Sequence, residues 1–264
     1  MCAGRIYVGC AGWSLRKEYF DLFDAEGSHL HCYAQRFNAV EINSSFYRSH
    51  RVDTYRRWAD ATPEHFRFAV KLPQQITHIN RLAASDELIE RFSAEIAGLG
   101  EKCGPILVQL PPSLYFDEPL ANSFFNAMRS HVQTTIVCEP RHATWFSPEA
   151  VAMLVKHGVG RVAADPSIMP AASVPGGCTQ HAYFRWHGSP RIYYSEYDNE
   201  ALRELKSQIT CAAQAADRVW CIFDNTAAGA AIANTVVLID MLNPYSLAGS
   251  TSSGVIPGIG RRQQ

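Results

Sequence analysis

Three absences narrow this 264-residue sequence before any motif is considered. No apolar run approaches the roughly 18–20 residues that cross a bilayer, so no membrane-spanning helix is expected. Charge of one sign is missing too: 24 Lys and Arg face 25 Asp and Glu, a formal net charge of −1. Bulk attraction to nucleic acid or to an anionic membrane is thereby excluded, while a local basic pocket is not. Finally, the eight cysteines never fall at C-x-x-C spacing, which removes zinc-ribbon and dithiol-redox sites. Cys10, Cys138 and Cys221 sit in apolar runs and Cys211 in a helical one, where a thiol serves as a small buried group in a reducing compartment.

Some catalytic signatures are missing as well. The early GCAGWS has two glycines without the G-x-G-x-x-G spacing of dinucleotide folds. Ser14, Ser44 and Ser113 stand in no nucleophile-elbow context. The first residues, MCAGRIYVGCAGW, have neither the charged leader nor the apolar stretch of a signal peptide, so a cytoplasmic location is expected.

What is present is one plan repeated. The runs RIYVGC, NAVEIN, FRFAVKL, PILVQLP, TTIVCEP, GRVAAD, HAYFRWHG and VWCIFDN are β-rich, and several are almost continuously apolar. That is the pattern of parallel strands covered on both faces. Helical patterns separate most of them, over roughly 28–37, 52–61, 85–100, 119–130, 147–157, 198–216 and 227–242. Ser147, Pro148 and Glu149 supply an N-cap, an N1 proline and a first-turn acid. Eight strands alternating with helices predict a TIM (β/α)8 barrel, with an open doubly wound sheet as the competitor. One domain over residues 1–242 is expected, followed by a Gly/Ser-rich tail at 243–264 that reads as a flexible appendage.

The strands end in polar residues: Glu41 and Asn43 on the second, Lys71 on the third and Gln109 on the fourth. Glu139 and Arg141 close the fifth, Asp165 the sixth, Arg185 and His187 the seventh, and Asp224 and Asn225 the eighth. Side chains alternate along a strand, so Glu41 shares a face with Ala39, Lys71 with Ala69, Glu139 with Val137, and Arg185 with His187. A barrel would gather them at its C-terminal mouth, where enzymes of this fold carry their sites. Charges beside a low-dielectric core are costly unless paired or used. A ring of ion pairs that plugs the barrel is one outcome; a polar substrate pocket is the other. Trp13, Phe46, Tyr47, Trp145, Phe146, Tyr193 and Tyr194 fall in the segments after strands and could wall such a pocket.

The stretches GCAGWS, NAVEINSSFYR, FRFAVKLPQQITH, GLGEKCGPILVQLPPS, EPRHATWF, GRVAADPS, YFRWHGSPRIYYSEY and FDNTAAGAAIAN resemble the bacterial YecE-like proteins, domain-of-unknown-function family 72. The resemblance covers Arg5 to about Leu242 and leaves the tail outside. It implies a TIM barrel of unassigned activity whose mouth, besides the residues above, includes His78 and His142. In that family the eighth strand commonly ends Asn-Asn; here it reads Asp224-Asn225, followed by an alanine-rich TAAGAA.

Two chemistries fit these residues. In the first, Glu41 and Glu139 face each other as acid and base or nucleophile, and His187 shuttles protons. Lys71, Arg185 and Arg141 then bind an anionic or strongly polar group. This suits a hydrolase, isomerase or lyase acting on a sugar-like or phosphorylated small molecule, with no cofactor. In the second, Glu41, Glu139, Asp165, His187 and Asp224 hold a divalent metal in an isomerase- or endonuclease-like site. A non-catalytic barrel that binds a metabolite or a protein stands beside both. Arg48, Arg51, Arg56 and Arg57 form the one basic cluster a nucleic acid could use, and they read as a solvated helix face.

Overall fold

Burial on both faces explains why the strand runs are so apolar. The computed structural model describes residues 4–23 and 27–243. Within them, β1 (Arg5–Ala11), β2 (Ala39–Ile42), β3 (Arg67–Lys71), β4 (Cys103–Gln109) and β5 (Ile136–Glu139) are buried along most of their length. Between β1 and β2 runs α1 (His29–Arg36); after β2 come the single turn α2 (Ser44–Tyr47) and α3 (Val52–Asp60). Next, α4 (Asp86–Ile96) joins β3 to β4, α5 (Glu118–His131) joins β4 to β5, and α6 (Pro148–Lys156) follows β5. The caps are those the sequence signals: Ser147 Oγ accepts from the Ala150 amide, and Pro148 opens α6. Each helix turns an apolar stripe inward; α5 buries Ala121, Phe124, Phe125 and Met128. A fully buried side chain of that size contributes about 1.5–3 kcal/mol.

The sixth run departs from expectation. It is two short strands, β6 (Val159–Arg161) and β7 (Ala163–Asp165), separated only by Val162. β6 pairs with β5, whereas β7 pairs with β9 (His181–Trp186), the seventh run. One continuous stretch of chain thus closes the sheet on itself. β10 (Arg218–Phe223), the eighth run, lies between β9 and β1. The two-residue β8 (Gly176–Gly177) adds an antiparallel rung to β6, and every other pairing is parallel. The count is therefore ten strands for eight staves of a TIM barrel. α7 (Asn199–Ala212) and α8 (Ala230–Leu242) complete the outer layer; α8 begins three residues later than predicted because Gly229, at φ 87, holds the preceding turn.

Small residues line much of the interior, and a few large ones fill it. Ala39, Ala69, Leu107, Val137, Val162 and Ile222 form one inner cluster with Tyr7, Tyr183 and Trp220. The Tyr7 and Trp220 rings stack 4.7 Å apart, with Tyr183 parallel to Trp220 at 6.2 Å. Gly104 gives that stack its space: a Cβ there would lie 2.6 Å from the indole. Above this layer only the polar mouth remains. α8 ends at Leu242, and the expected tail after Asn243 lies outside the described residues.

Candidate functional site

Strand register decides which polar ends reach the mouth. Ala11 pairs with Glu41, Glu41 with Ala69, and Gln109 with Glu139, all on the interior face. On the far side Ala164 pairs with Arg185 and Asp165 with Trp186. Arg185 points inward, so its register partner Ala164 does too, and Asp165 points out. It accepts a 2.6 Å hydrogen bond from the Tyr197 hydroxyl and lines an outer groove beside Glu196 and Asp198. The sequence-based placement of Asp165 in the mouth is corrected: counting from Val162, period two puts Ala164 inside.

Arg185 is the hub of what converges. Its guanidinium is fully buried and bridges three carboxylates. Nε lies 3.2 Å from both oxygens of Glu41, and Nη2 lies 2.9 Å from Glu41 Oε1. Nη2 is also 2.9 Å from Asp224 Oδ2, and Nη1 is 3.1 Å from Glu139 Oε2. Tyr183 donates to Glu41 at 2.7 Å; Gln109 donates to both Glu139 oxygens at 3.1 Å. Glu41 and Glu139 were expected to face each other across the mouth. A guanidinium stands between them instead.

His187 completes the buried layer. Its Nε2 is 3.0 Å from Glu139 Oε1 and its Nδ1 is 3.1 Å from Asp224 Oδ2. A neutral imidazole has one donor and one acceptor, so only the imidazolium satisfies a carboxylate on each side. The ring accordingly titrates above its ordinary value: burial opposes the charge, but Glu139 and the bonds to Asp224 and Glu139 outweigh it. Burial likewise works against ionised Glu139 and Asp224, yet His187 and Arg185 hold Glu139 well below the usual carboxylate range, and Arg185 and His187 hold Asp224 below it.

The rim is different. Lys71 is only 8% exposed, yet among the described residues it has no hydrogen-bond acceptor and no ion pair. Its ammonium sits 4.2 Å over the Phe46 ring, which α2 sets directly behind β2. Burial first, then repulsion from Arg185, pushes Lys71 down to about 8, against the pull of Glu41, Asp224 and Glu139. His78, on an unforeseen π-helical turn at Gln75–Ile79, packs edge-on to Phe46 at 4.9 Å. It is lowered by burial and by the positive charges of Lys71 and Arg141. Arg141, with a side chain 26% exposed, donates to Glu139 at 3.1 Å. Tyr193, at φ 70, lays its ring 5.9 Å from His187 and, after Glu139, favours the charge on Arg141. Tyr47 is exposed beside Phe46.

Other expected contacts serve the fold. Trp145 is buried, donates from its indole to the Leu114 carbonyl and packs on Phe116, so it is a core residue and not a pocket wall. His142 bonds to Thr144 and caps its own turn. Asn225 turns its amide to Ser195 and Asn234, away from the mouth. Arg56 pairs with Asp53 on the exposed face of α3. Tyr183 was overlooked, although alternation alone places it on the face of Arg185 and His187.

A cavity of about 530 Å³ opens beside the network, between the ends of β1 and β2 and the start of α8. Trp13, Asn43, Arg16, Ser44 and Thr226 line it, and Asn43 Nδ2 reaches Asp224 Oδ1 at 3.5 Å. The cavity therefore touches the charged layer through Asn43, whose Oδ1 is buried and has no hydrogen-bond partner among the described residues. Among the described residues no three His, Cys, Asp or Glu side chains form a group able to hold a metal ion. Of the five proposed as ligands, Asp165 is outside, and Glu41, Glu139, His187 and Asp224 gather around the Arg185 guanidinium, which takes the central place. No helix among the described residues is long and apolar enough to cross a membrane.

Fold and site together define a TIM barrel whose C-terminal mouth is floored by an arginine–carboxylate network and rimmed by cations and aromatics. The chain belongs to the family described as "Protein of unknown function DUF72", which matches residues 7–253, ending eleven residues past the limit near Leu242 that the resemblance suggested. UPF0759 protein YunF of Bacillus subtilis is 24% identical over 269 residues, spanning 90% of this chain and 95% of that one. UPF0759 protein YecE of Escherichia coli K12 is 28% identical over 173 residues, 63% of this chain and 61% of its own. In solved structures, a DUF72 family protein of Enterococcus faecalis aligns at TM-score 0.77 with 22% identity, over 90% of this chain and 95% of that one. A Thermotoga maritima member aligns at 0.76 with 24% identity, over 90% and 99%. These structures share the fold.

Proposed function

We propose that this barrel is an enzyme carrying out acid–base chemistry (a hydrolase, isomerase or lyase) on an anionic, sugar-like or phosphorylated small molecule at its C-terminal mouth. One observation carries the reading: Lys71 is held at the rim over Phe46 with no direct ion pair among the described residues. A plug built for stability would neutralise itself, because an uncompensated buried charge is among the costliest features a fold can keep. Here four cations, Lys71, Arg141, Arg185 and protonated His187, meet three carboxylates, Glu41, Glu139 and Asp224. The surplus positive charge suits an incoming anion, which Arg141 and Lys71 would receive.

The roles shift from those the sequence suggested. Glu41, Glu139 and His187 are positioning residues whose bonds within the network leave them little freedom to meet a substrate. Lys71 is the reacting group, since at a pKa of about 8 its amine gains and loses a proton near neutrality. Phe46 backs Lys71, Tyr193 stands edge-on to His187, and the cavity at Trp13 and Asn43 takes the rest of the molecule. The test incubates the full chain with a metabolite extract and follows compounds retained or converted. Conversion lost in Lys71→Met, with retention weakened, is the expected result. Conversion that survives the substitution overturns the assignment. The firm tying of Glu41 and Glu139 favours one rival, a barrel that binds without turnover, and retention with no conversion by the unaltered protein would select it.

A further inference from the structure

Lys71 is unlike the other four lysines of the chain, Lys17, Lys102, Lys156 and Lys206. Lys102 donates to the carbonyls of Ala59 and Thr62, each at 2.6 Å, and Lys156 donates to Asn122. Lys17 is exposed and Lys206 half-buried on the outer surface. Lys71 alone lies inside the barrel mouth, its amine over an aromatic face, unbonded, with a fully paired arginine behind it. Ion pairing would lock a lysine in its ammonium form; apolar packing beside a second cation does the reverse.

We propose that Lys71 is a nucleophile that forms an imine with the carbonyl carbon of an anionic aldehyde or ketone bound at the mouth. The inference rests on the mouth being an anion site and adds the functional group that the substrate must carry. The neutral amine adds to the carbonyl carbon, forming the C–N bond while the C=O π bond breaks and its oxygen is protonated. The resulting carbinolamine expels that oxygen as water, leaving a protonated C=N bond. Relative to the starting ammonium, the two hydrogens of the water are the two lost from nitrogen, so no external reductant or oxidant is needed. Arg141 is placed to hold the anionic end, and the iminium then acts as the electron sink for proton abstraction or bond cleavage at the neighbouring carbon.

The experiment uses the full chain, glyceraldehyde 3-phosphate as probe and sodium borohydride, which delivers hydride to an iminium and fixes it as a secondary amine. Peptide mass mapping then reports adducts at each of the five lysines. At neutral pH a lysine of pKa about 8 has on the order of a hundredfold more free amine than a solvated one. Allowing for restricted access, labelling of Lys71 should lead that of Lys17 and Lys206 by about tenfold or more, rising with pH through about 8. Glyceraldehyde, lacking the phosphate, should label Lys71 more slowly. Adducts confined to Lys17, Lys156 and Lys206 would overturn the proposal, and the unaltered protein alone decides this, whether or not Lys71→Met folds. Thermal stabilisation by glyceraldehyde 3-phosphate without an adduct at Lys71 would remove the imine and leave the anion site standing. Absence of both would remove the two together.

Discussion

The floor of the barrel mouth and its rim hold the same kinds of residue under opposite rules. On the floor, each charge has its complement: Arg185 meets Glu41, Glu139 and Asp224, and His187 sits between two carboxylates. On the rim, Lys71 meets a phenyl ring and Arg141 shares a carboxylate already claimed from below. The first arrangement fixes geometry at the expense of reactivity, because a carboxylate held by several donors is a poor base. The second leaves a charge unsatisfied, which is unfavourable for folding and favourable for binding. The charged residue with fewest partners is therefore the better guide to chemistry.

The floor can be broken first. Arg185→Met removes the common partner of three buried carboxylates and should cost about 3–5 kcal/mol in urea unfolding. A loss below about 1 kcal/mol would mean that the floor is not one mutually dependent unit.

Lys71→Met should act in the opposite sense. A lysine pushed down to about 8 in the fold binds fewer protons than its unfolded counterpart between that pH and its ordinary value, so folding becomes easier as pH rises through that window. Removing the charge should stabilise the chain by about 2 kcal/mol at pH 7, with the gain shrinking towards pH 10. Destabilisation by Lys71→Met at pH 7 would contradict the unpaired reading.

His187 and its acids give a smaller, pH-graded effect. The histidine's folded pKa is raised, so its contribution is complete below its unfolded value and is lost as pH rises through the folded one. Glu139 and Asp224 are depressed, so theirs is present above the ordinary carboxylate range and is lost as pH falls. The contribution of these three groups should be greatest between about pH 4.5 and 6.5, and in His187→Gln the decline above about pH 6.5 should flatten. An unchanged slope would place the imidazolium elsewhere. The smallest effect belongs to Asp165→Asn, which touches Tyr197 outside the barrel. It should cost about 1 kcal/mol and leave the labelling of Lys71 unaltered.

Sequence reading reached the barrel because the strand runs are apolar enough to be covered twice and because α1, α5, α6 and α7 open on the side-chain caps Ser28, Asp117, Ser147 and Asp198. It missed the break at Val162, since a residue where hydrogen bonds pass from one neighbour to another looks like any other apolar strand residue. The mouth was legible in membership more than in role. Glu41, Lys71, Gln109, Glu139, Arg185 and His187 reach one face because period two puts them there. Asp165 failed because the ladder, not the run's last letter, sets which face a residue takes. Which acids are tied and which cation is free depends on distances among five strands, and no single strand encodes those. Trp145 illustrates the remaining ambiguity: a loop tryptophan serves a ligand or the core equally well until its indole finds Leu114.

The stacked rings of Tyr7, Trp220 and Tyr183 have a kinetic consequence. They fill the barrel's axis below the mouth, so a solute admitted at the top finds no way through along that axis. Any product would then occupy the approach that the next substrate needs. For the reaction proposed at the mouth, inhibition by product should be competitive, and trimming Trp220 should weaken the packing that closes the lower end.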